Sequence, residues 1–313
     1  MKISQAFLPL LATLVTPTAA YWRGFNVKSN TADGKTCKTK DDWKDVFQAI
    51  QTFPNGINAA RLFFSNKCDS LKNAVPEAIA TGTHILVGID DSDSDFEEEK
   101  GALLSAIETY GFDWIVGISI GSESLYRGGI NPSSLTNKIN DVRAMVQGID
   151  GYDPKKKFVE VGHVDTTNAW FDTANTAVIR ACDFIGVDIY PYFQSDVDNN
   201  IDNARNLFTN AITQAQATVS KALEGSSSGR MPSVWVTETG WPVNGAANGN
   251  AVPSVSNAAS YFQQVACPYF GKMNTFWFTY QDWFALPSFA VVDADGQKYF
   301  SQVCASGKRF KQF

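Results

Sequence analysis

Two glutamates in this 313-residue chain stand where a carboxylate is presented rather than packed. Glu238 closes the run Val234-Trp235-Val236-Thr237 and is followed at once by Thr239-Gly240-Trp241-Pro242. Glu123 closes the run from Trp114 to Ile120 through Gly121 and Ser122. A β-branched apolar run reads as a buried strand, and the glycine and proline punctuation ends it. One acidic residue in such a place is more often a helix cap or the partner of a lysine. Two of the same design point to carboxylates that meet and divide the work of breaking an acetal. One, kept protonated by burial and repulsion, donates to the leaving oxygen, and the other stays ionised to attack the anomeric carbon. A carboxyl separation of about 5 to 5.5 Å is expected for retention and about 6.5 to 9.5 Å for inversion.

Other chemistries lack their parts. The chain has two histidines, His84 and His163, too few for a histidine-rich metal site, and a Ser-His-Asp triad has only these to draw on. His163 lies near the end of the expected fifth strand, where lining the site and making a structural hydrogen bond are equal readings. There is no glycine-rich phosphate loop with its lysine and no GxGxxG opening a helix. The acidic stretch Asp90–Asp95 with Glu97–Glu99 lacks EF-hand spacing and reads as a solvated loop and helix start. Neither a cofactor nor a metal is expected.

Eight β-like runs can position the glutamates: 22–27, 57–64, 84–89, 114–120, 158–162, 184–189, 233–238 and 274–278. Helix-compatible segments fall between them at 40–51, 70–80, 97–110, 133–147, 169–180, 201–223 and 256–265, with Asp93 or Asp95 and Ser254 or Ser256 as candidate caps. Alternation of this kind predicts an α/β fold, a single-domain (β/α)8 TIM barrel, with an open doubly wound sheet as the alternative. Glu123 then ends strand four and Glu238 strand seven, both on the face where barrel active sites are built.

Sugar rings need aromatic platforms edged by polar groups. Behind the expected strand ends stand Tyr126, Arg127, Trp170, Tyr190, Tyr192, Phe193, Trp241, Tyr280 and Trp283, with Asp165, Asp188, Gln194, Asn244 and Asp282 to bond hydroxyls. Any one of these aromatics is more often barrel packing; their concentration is the signal.

Residues 1–20 combine Lys2, an apolar stretch from Ala6 to Val15 and Thr18-Ala19-Ala20, a secretory signal peptide pattern that puts the catalytic domain at 21–313. No later segment is apolar for long enough to span a bilayer, and the tail Lys308–Phe313 is basic, without a lipid-anchor pattern. A secreted protein, extracellular or in the cell wall, is expected. Net charge is −6 with basic residues scattered, so neither nucleic acid nor a membrane anchor is expected, and the chain reads as a monomer. Five cysteines in such a setting imply disulfides with one left over. Positions around the first and last strands favour Cys37 with Cys68 and Cys267 with Cys304, other connectivities remaining open, and Cys182 reads as a buried free thiol.

The segments Trp235–Pro242, Gly121–Arg127 and Cys182–Gln194 together resemble glycoside hydrolase family 17, the β-1,3-glucanases, in its fungal branch. The resemblance covers nearly the whole chain after residue 20. It implies Glu238 as nucleophile and Glu123 as acid/base in a retaining double displacement on β-1,3-glucan or laminari-oligosaccharides. Transfer of the glycosyl unit to a second glucan is the alternative outcome, and a silent glucan-binding protein a third reading. Ser122 stands where many relatives carry asparagine. Trp277–Trp283 departs from the family's eighth strand, which weakens the transfer of substrate contacts on that side.

Overall fold

The computed structural model describes residues 21–31, 33–225, 230–282 and 285–305; the expected signal segment, the basic tail and Trp283 lie outside them. Among these residues, eight parallel strands close into a barrel in sequence order. They are β1 (Arg23–Asn26), β2 (Ala59–Arg61), β3 (His84–Ile89), β4 (Ile115–Ser122), β5 (Val161–Thr166), β6 (Phe184–Ile189), β7 (Ser233–Thr239) and β8 (Thr275–Trp277). The helices are α1 (Lys40–Gln51), α2 (Ser70–Thr81), α3 (Phe96–Tyr110), α4 (Pro132–Gly148), α5 (Thr167–Phe171), α6 (Thr176–Ala181), α7 (Ala204–Ala222), α8 (Val255–Tyr261) and α9 (Cys267–Tyr269), a π-turn at Phe262–Ala266 joining the last two. The closed barrel replaces the open-sheet alternative.

Local chemistry sets the helix ends. Thr39 and Asp42 form a reciprocal capping box on α1, with Thr39 N–H donating to Asp42 Oδ2 at 2.8 Å. Asn131 caps α4 ahead of Pro132, and Ser254 caps α8 by accepting from Asn257 N–H at 3.0 Å. Asp95 occupies the cap position of α3 without a side-chain bond.

Two apolar layers sandwich the strands. Inside the barrel Ala59, Leu86, Val116, Val164, Phe184, Trp235 and Phe276 fill the bore, with Trp235 stacked on Phe184 at 3.9 Å. Gly117 makes room for that indole, since a Cβ there would meet Trp235 at 2.9 Å. Outside, the larger core packs helices against strands through buried side chains such as Trp43, Phe47, Leu103 and Phe208. Disulfides join Cys37 to Cys68 and Cys267 to Cys304, with Cα separations of 5.2 and 5.4 Å. Cys182 is free and buried, its thiol pushed up to about 12 by burial, which makes it inert. No helix among the described residues is long and apolar enough to cross a membrane.

Two expected elements shift. The fifth strand is Val161–Thr166 rather than 158–162, so His163 lies inside it and not beyond its end. The segment 169–180 breaks into α5 and α6, because Asp172 leaves the helical region (ψ 120°) and caps a short turn by accepting from Ala174 N–H.

Candidate active site

Both glutamates reach the site by the same device. Pairing of β6 with β7 runs Val187 to Val236 and then Asp188 to Glu238, so β7 carries one extra residue, Thr237. Pairing of β4 with β5 runs Ser119 to Gly162 and then Ser122 to Val164, again with one extra residue on the strand that ends in the glutamate. A bulge kinks its strand and re-aims the side chains beyond it. Here it brings Glu238 abreast of Asp188 and turns Glu123 inward, its N–H donating to Val164 O at 2.9 Å. Glu123 itself has φ 56°, a left-handed conformation that costs a β-carbon residue about 1 kcal/mol. Gly121 before it has φ 73°, and a Cβ there would strike Asp91 and Ser124.

One oxygen of Glu123 and one of Glu238 lie within 4.8 Å of each other, so the two carboxyls face each other across the site. Their environments differ. Glu238 is buried and both its oxygens accept: Oε1 from the Arg61 guanidinium, Oε2 from Tyr190 Oη at 2.7 Å. This suits a carboxylate held as an anion. Glu123 is half-buried; desolvation first and the Glu238 charge second push its pKa up, against the ion pair with Arg127 at the rim. Glu123 is thereby biased toward its protonated form.

Arg61 is the residue that sequence reasoning missed. It is 1% exposed at the end of β2 and donates to Asn26 Oδ1 on β1 and Ser122 Oγ on β4, both at 2.9 Å, as well as to Glu238 on β7. A charged residue inside the apolar run 57–64 was its one sequence signal. Its guanidinium is the buried cation bonded to Glu238 within the cluster that Glu123, Asp188 and Glu238 form. Tyr190 stays a neutral phenol, its pKa pushed up by burial and then by the Glu238 charge.

Two hollows meet at Glu123. The larger, about 790 Å³, runs past Tyr126, Thr166, Phe171, Tyr190, Phe193 and Gln194 toward α7. The smaller, about 370 Å³, is bounded by Phe63, Phe64, Ser122, Arg127, Glu238 and Phe278. Of the expected substrate contacts, Tyr126, Arg127, Asp188 and Tyr190 line one hollow or the other. Tyr126 and Phe193 are 59% and 52% exposed, as platforms must be.

Phe193 and Gln194 line the larger hollow as well and Asn244 is exposed, whereas six other expected contacts are corrected by burial. Trp170 and Trp241 have no free face: their indole N–H groups donate to Gly186 O at 2.8 Å and Val252 O at 3.0 Å. Tyr192 is buried and donates to Ala246 O, and Tyr280 packs against Phe25 and Phe53 with its hydroxyl pushed up to about 12 by burial. Asp282 is consumed by Ser288 Oγ and the N–H groups of Phe289 and Ala290. Asp165 is fully buried; it accepts from Leu125 and Tyr126 N–H, just after Glu123, and pairs with His163, whose other nitrogen meets Ile120 O. His163 and Asp165 therefore hold the Glu123 segment rather than touch a sugar. In each case the side chain follows a strand end in sequence but points behind the loops, into the helix layer or under the rim.

A closed (β/α)8 barrel with paired strand-end glutamates defines a glycoside hydrolase fold. A family model described as the BtgE/BtgC glycoside hydrolase domain matches residues 24–285, and the chain belongs to that family. It is 37% identical to a probable glucan endo-1,3-beta-glucosidase of Aspergillus niger over 90% of its length, and 33% identical to a glucan 1,3-beta-glucosidase of Saccharomyces cerevisiae over 78%. The chain spans 62% of the length of the first of these relatives and 75% of the second. Among solved structures, the family 17 β-1,3-glucanosyltransferase of Rhizomucor miehei superposes with a TM-score of 0.71 at 23% identity, covering 90% of this chain and 98% of that one. The resemblance read from Trp235–Pro242 is borne out by the family match.

Proposed function

We propose that the protein is a retaining endo-β-1,3-glucanase in which Glu238 attacks the anomeric carbon and Glu123 protonates the leaving oxygen, then activates water. One observation carries the reading: two strand-end carboxyls within 4.8 Å, one held by two donors and the other pushed toward its protonated form. The substrate, β-1,3-glucan or laminari-oligosaccharide, follows from the names of the Aspergillus relatives. Glu238→Ala abolishes release of reducing sugar from laminarin in this reading, and Glu123→Gln lowers it by about 10²–10⁴-fold. Full activity in both variants refutes it.

A second outcome of the same chemistry, transfer to a glucan acceptor, is favoured by the larger hollow. Its exposed Tyr126 and Phe193 can stack an acceptor sugar where water would otherwise reach the glycosyl-enzyme. Products longer than a defined laminari-oligosaccharide substrate report transfer; their absence reports hydrolysis alone. Residues 21–313 act as one catalytic domain behind a cleaved leader, working as a secreted monomer. The two disulfides support an oxidising compartment.

A further inference from the structure

A third carboxyl stands beside the pair in a different setting from either. Asp188 on β6 is 4% exposed. Its Oδ1 accepts from Thr237 Oγ1 at 2.8 Å, while Oδ2 is buried with no hydrogen-bond partner. Oxygens of Glu123, Asp188 and Glu238 all lie within 4.8 Å of one another. The neighbouring cations are engaged elsewhere: Arg61 donates to Glu238, Asn26 and Ser122, and Arg127 pairs with Glu123 from the exposed rim. On β5, His163 and Asp165 serve each other and the backbone, and the Tyr190 hydroxyl goes to Glu238.

A buried anion in this place would face the Glu238 charge with one oxygen unpaired, each a cost of folding. A proton on Oδ2 removes the charge and turns that oxygen into a donor, which still lacks a partner within the protein. Asp188 lines the larger hollow with Oδ2 itself covered, so a sugar seated against the residue is the partner within closest reach of that donor. Glu238 is not that partner, because no acceptor lies within hydrogen-bond reach of Oδ2.

We propose that Asp188 works as a neutral carboxyl whose Oδ2–H donates a hydrogen bond to a sugar hydroxyl seated against Glu123 and Glu238. This deepens the glycan-cleaving reading and rests on it. Burial, then the Glu238 charge, hold the Asp188 pKa well above the carboxylate range, with Arg61 and Thr237 opposing and Glu123 adding to the rise. Losing the proton at higher pH removes the donor and adds a negative charge beside the nucleophile.

Infrared difference spectroscopy of the wild-type protein against Asp188→Asn at neutral pH reads the proton directly. A protonated-carboxyl C=O band is expected, and addition of laminaritriose should displace it as the hydrogen bond forms. No band, or a band that the sugar leaves unmoved, overturns the proposal. On laminarin, Asp188→Ala should lose at least about 10²-fold in kcat/KM, the scale of one deleted donor. Asp188→Asn, which keeps an N–H in that position, should recover most of the loss. Asn no better than Ala means that the negative charge is what matters, and Ala at the wild-type rate means that no contact is made; either overturns the proposal. Melting temperatures of both variants separate loss of fold from loss of contact. A wild-type protein inactive on laminarin refutes the glucanase reading, while the infrared titration still decides the role of Asp188.

Discussion

Replacing Arg127 with leucine tests the division of labour between the two glutamates through the acid alone. Burial and the Glu238 charge raise the Glu123 pKa, and the Arg127 ion pair opposes them. Arg127→Leu removes only the opposing influence, so Glu123 should hold its proton to higher pH. The size is set by exposure. The Arg127 side chain is 69% exposed and that of Glu123 18%, so the pair is largely screened by solvent and is worth about 0.2–1 kcal/mol. At about 1.36 kcal/mol per pH unit, the alkaline limb of kcat/KM should move up by roughly 0.2–0.7 units. The profile on laminarin is measured at constant ionic strength and repeated near 1 M salt, where screening shortens to about 3 Å. Salt should shift the wild-type limb in the same direction and leave that of the variant in place. A limb that moves down, or one that moves up by several units, refutes the reasoning.

Two further outcomes rest on the same geometry. A carboxyl whose pKa is raised by folding is equally protonated in both states below its unfolded value, near pH 4.3, and loses stability as pH rises through the folded value. Glu123→Gln should therefore raise the melting temperature at neutral pH and leave it unchanged near pH 4; stabilisation at both pH values would contradict the assignment. Arg61→Met leaves Glu238 buried with one donor and strips Asn26 and Ser122 of theirs. Breaking such a pair costs about 3–5 kcal/mol, and chemical denaturation should show a loss of that size; a loss below about 1 kcal/mol would mean that water reaches the cluster.

The periodicity of apolar runs was enough to place β3 and β6 at their observed ends, and α1 as well, because their flanks carry clear breakers. It failed at β5, where His163, Asp165 and Thr166 look like loop residues yet continue the strand. Polar side chains there are satisfied by neighbouring strands and by the Glu123 segment, contacts that have no trace in local sequence. The same cause hid Arg61, whose partners lie 35, 61 and 177 residues away. Glu123 and Glu238 were legible because two carboxylates of the same design stand behind buried strands, where one alone reads as a cap or an ion-pair partner. The aromatic platforms were only partly so: sequence gives the distance from a strand end, whereas burial of Trp170, Tyr192, Trp241 and Tyr280 is decided by how the loops fold back.

The two hollows have one lining residue in common, Glu123. The walls of the larger come from the segments after β4, β5 and β6 and from α7; those of the smaller come mainly from the ends of β1, β2 and β8. Lineages that share this barrel are therefore free to lengthen, shorten or repaper one side without disturbing the other. Preference for what is cleaved and preference for what receives the product can diverge as separate traits, tethered at a single side chain that neither can exchange.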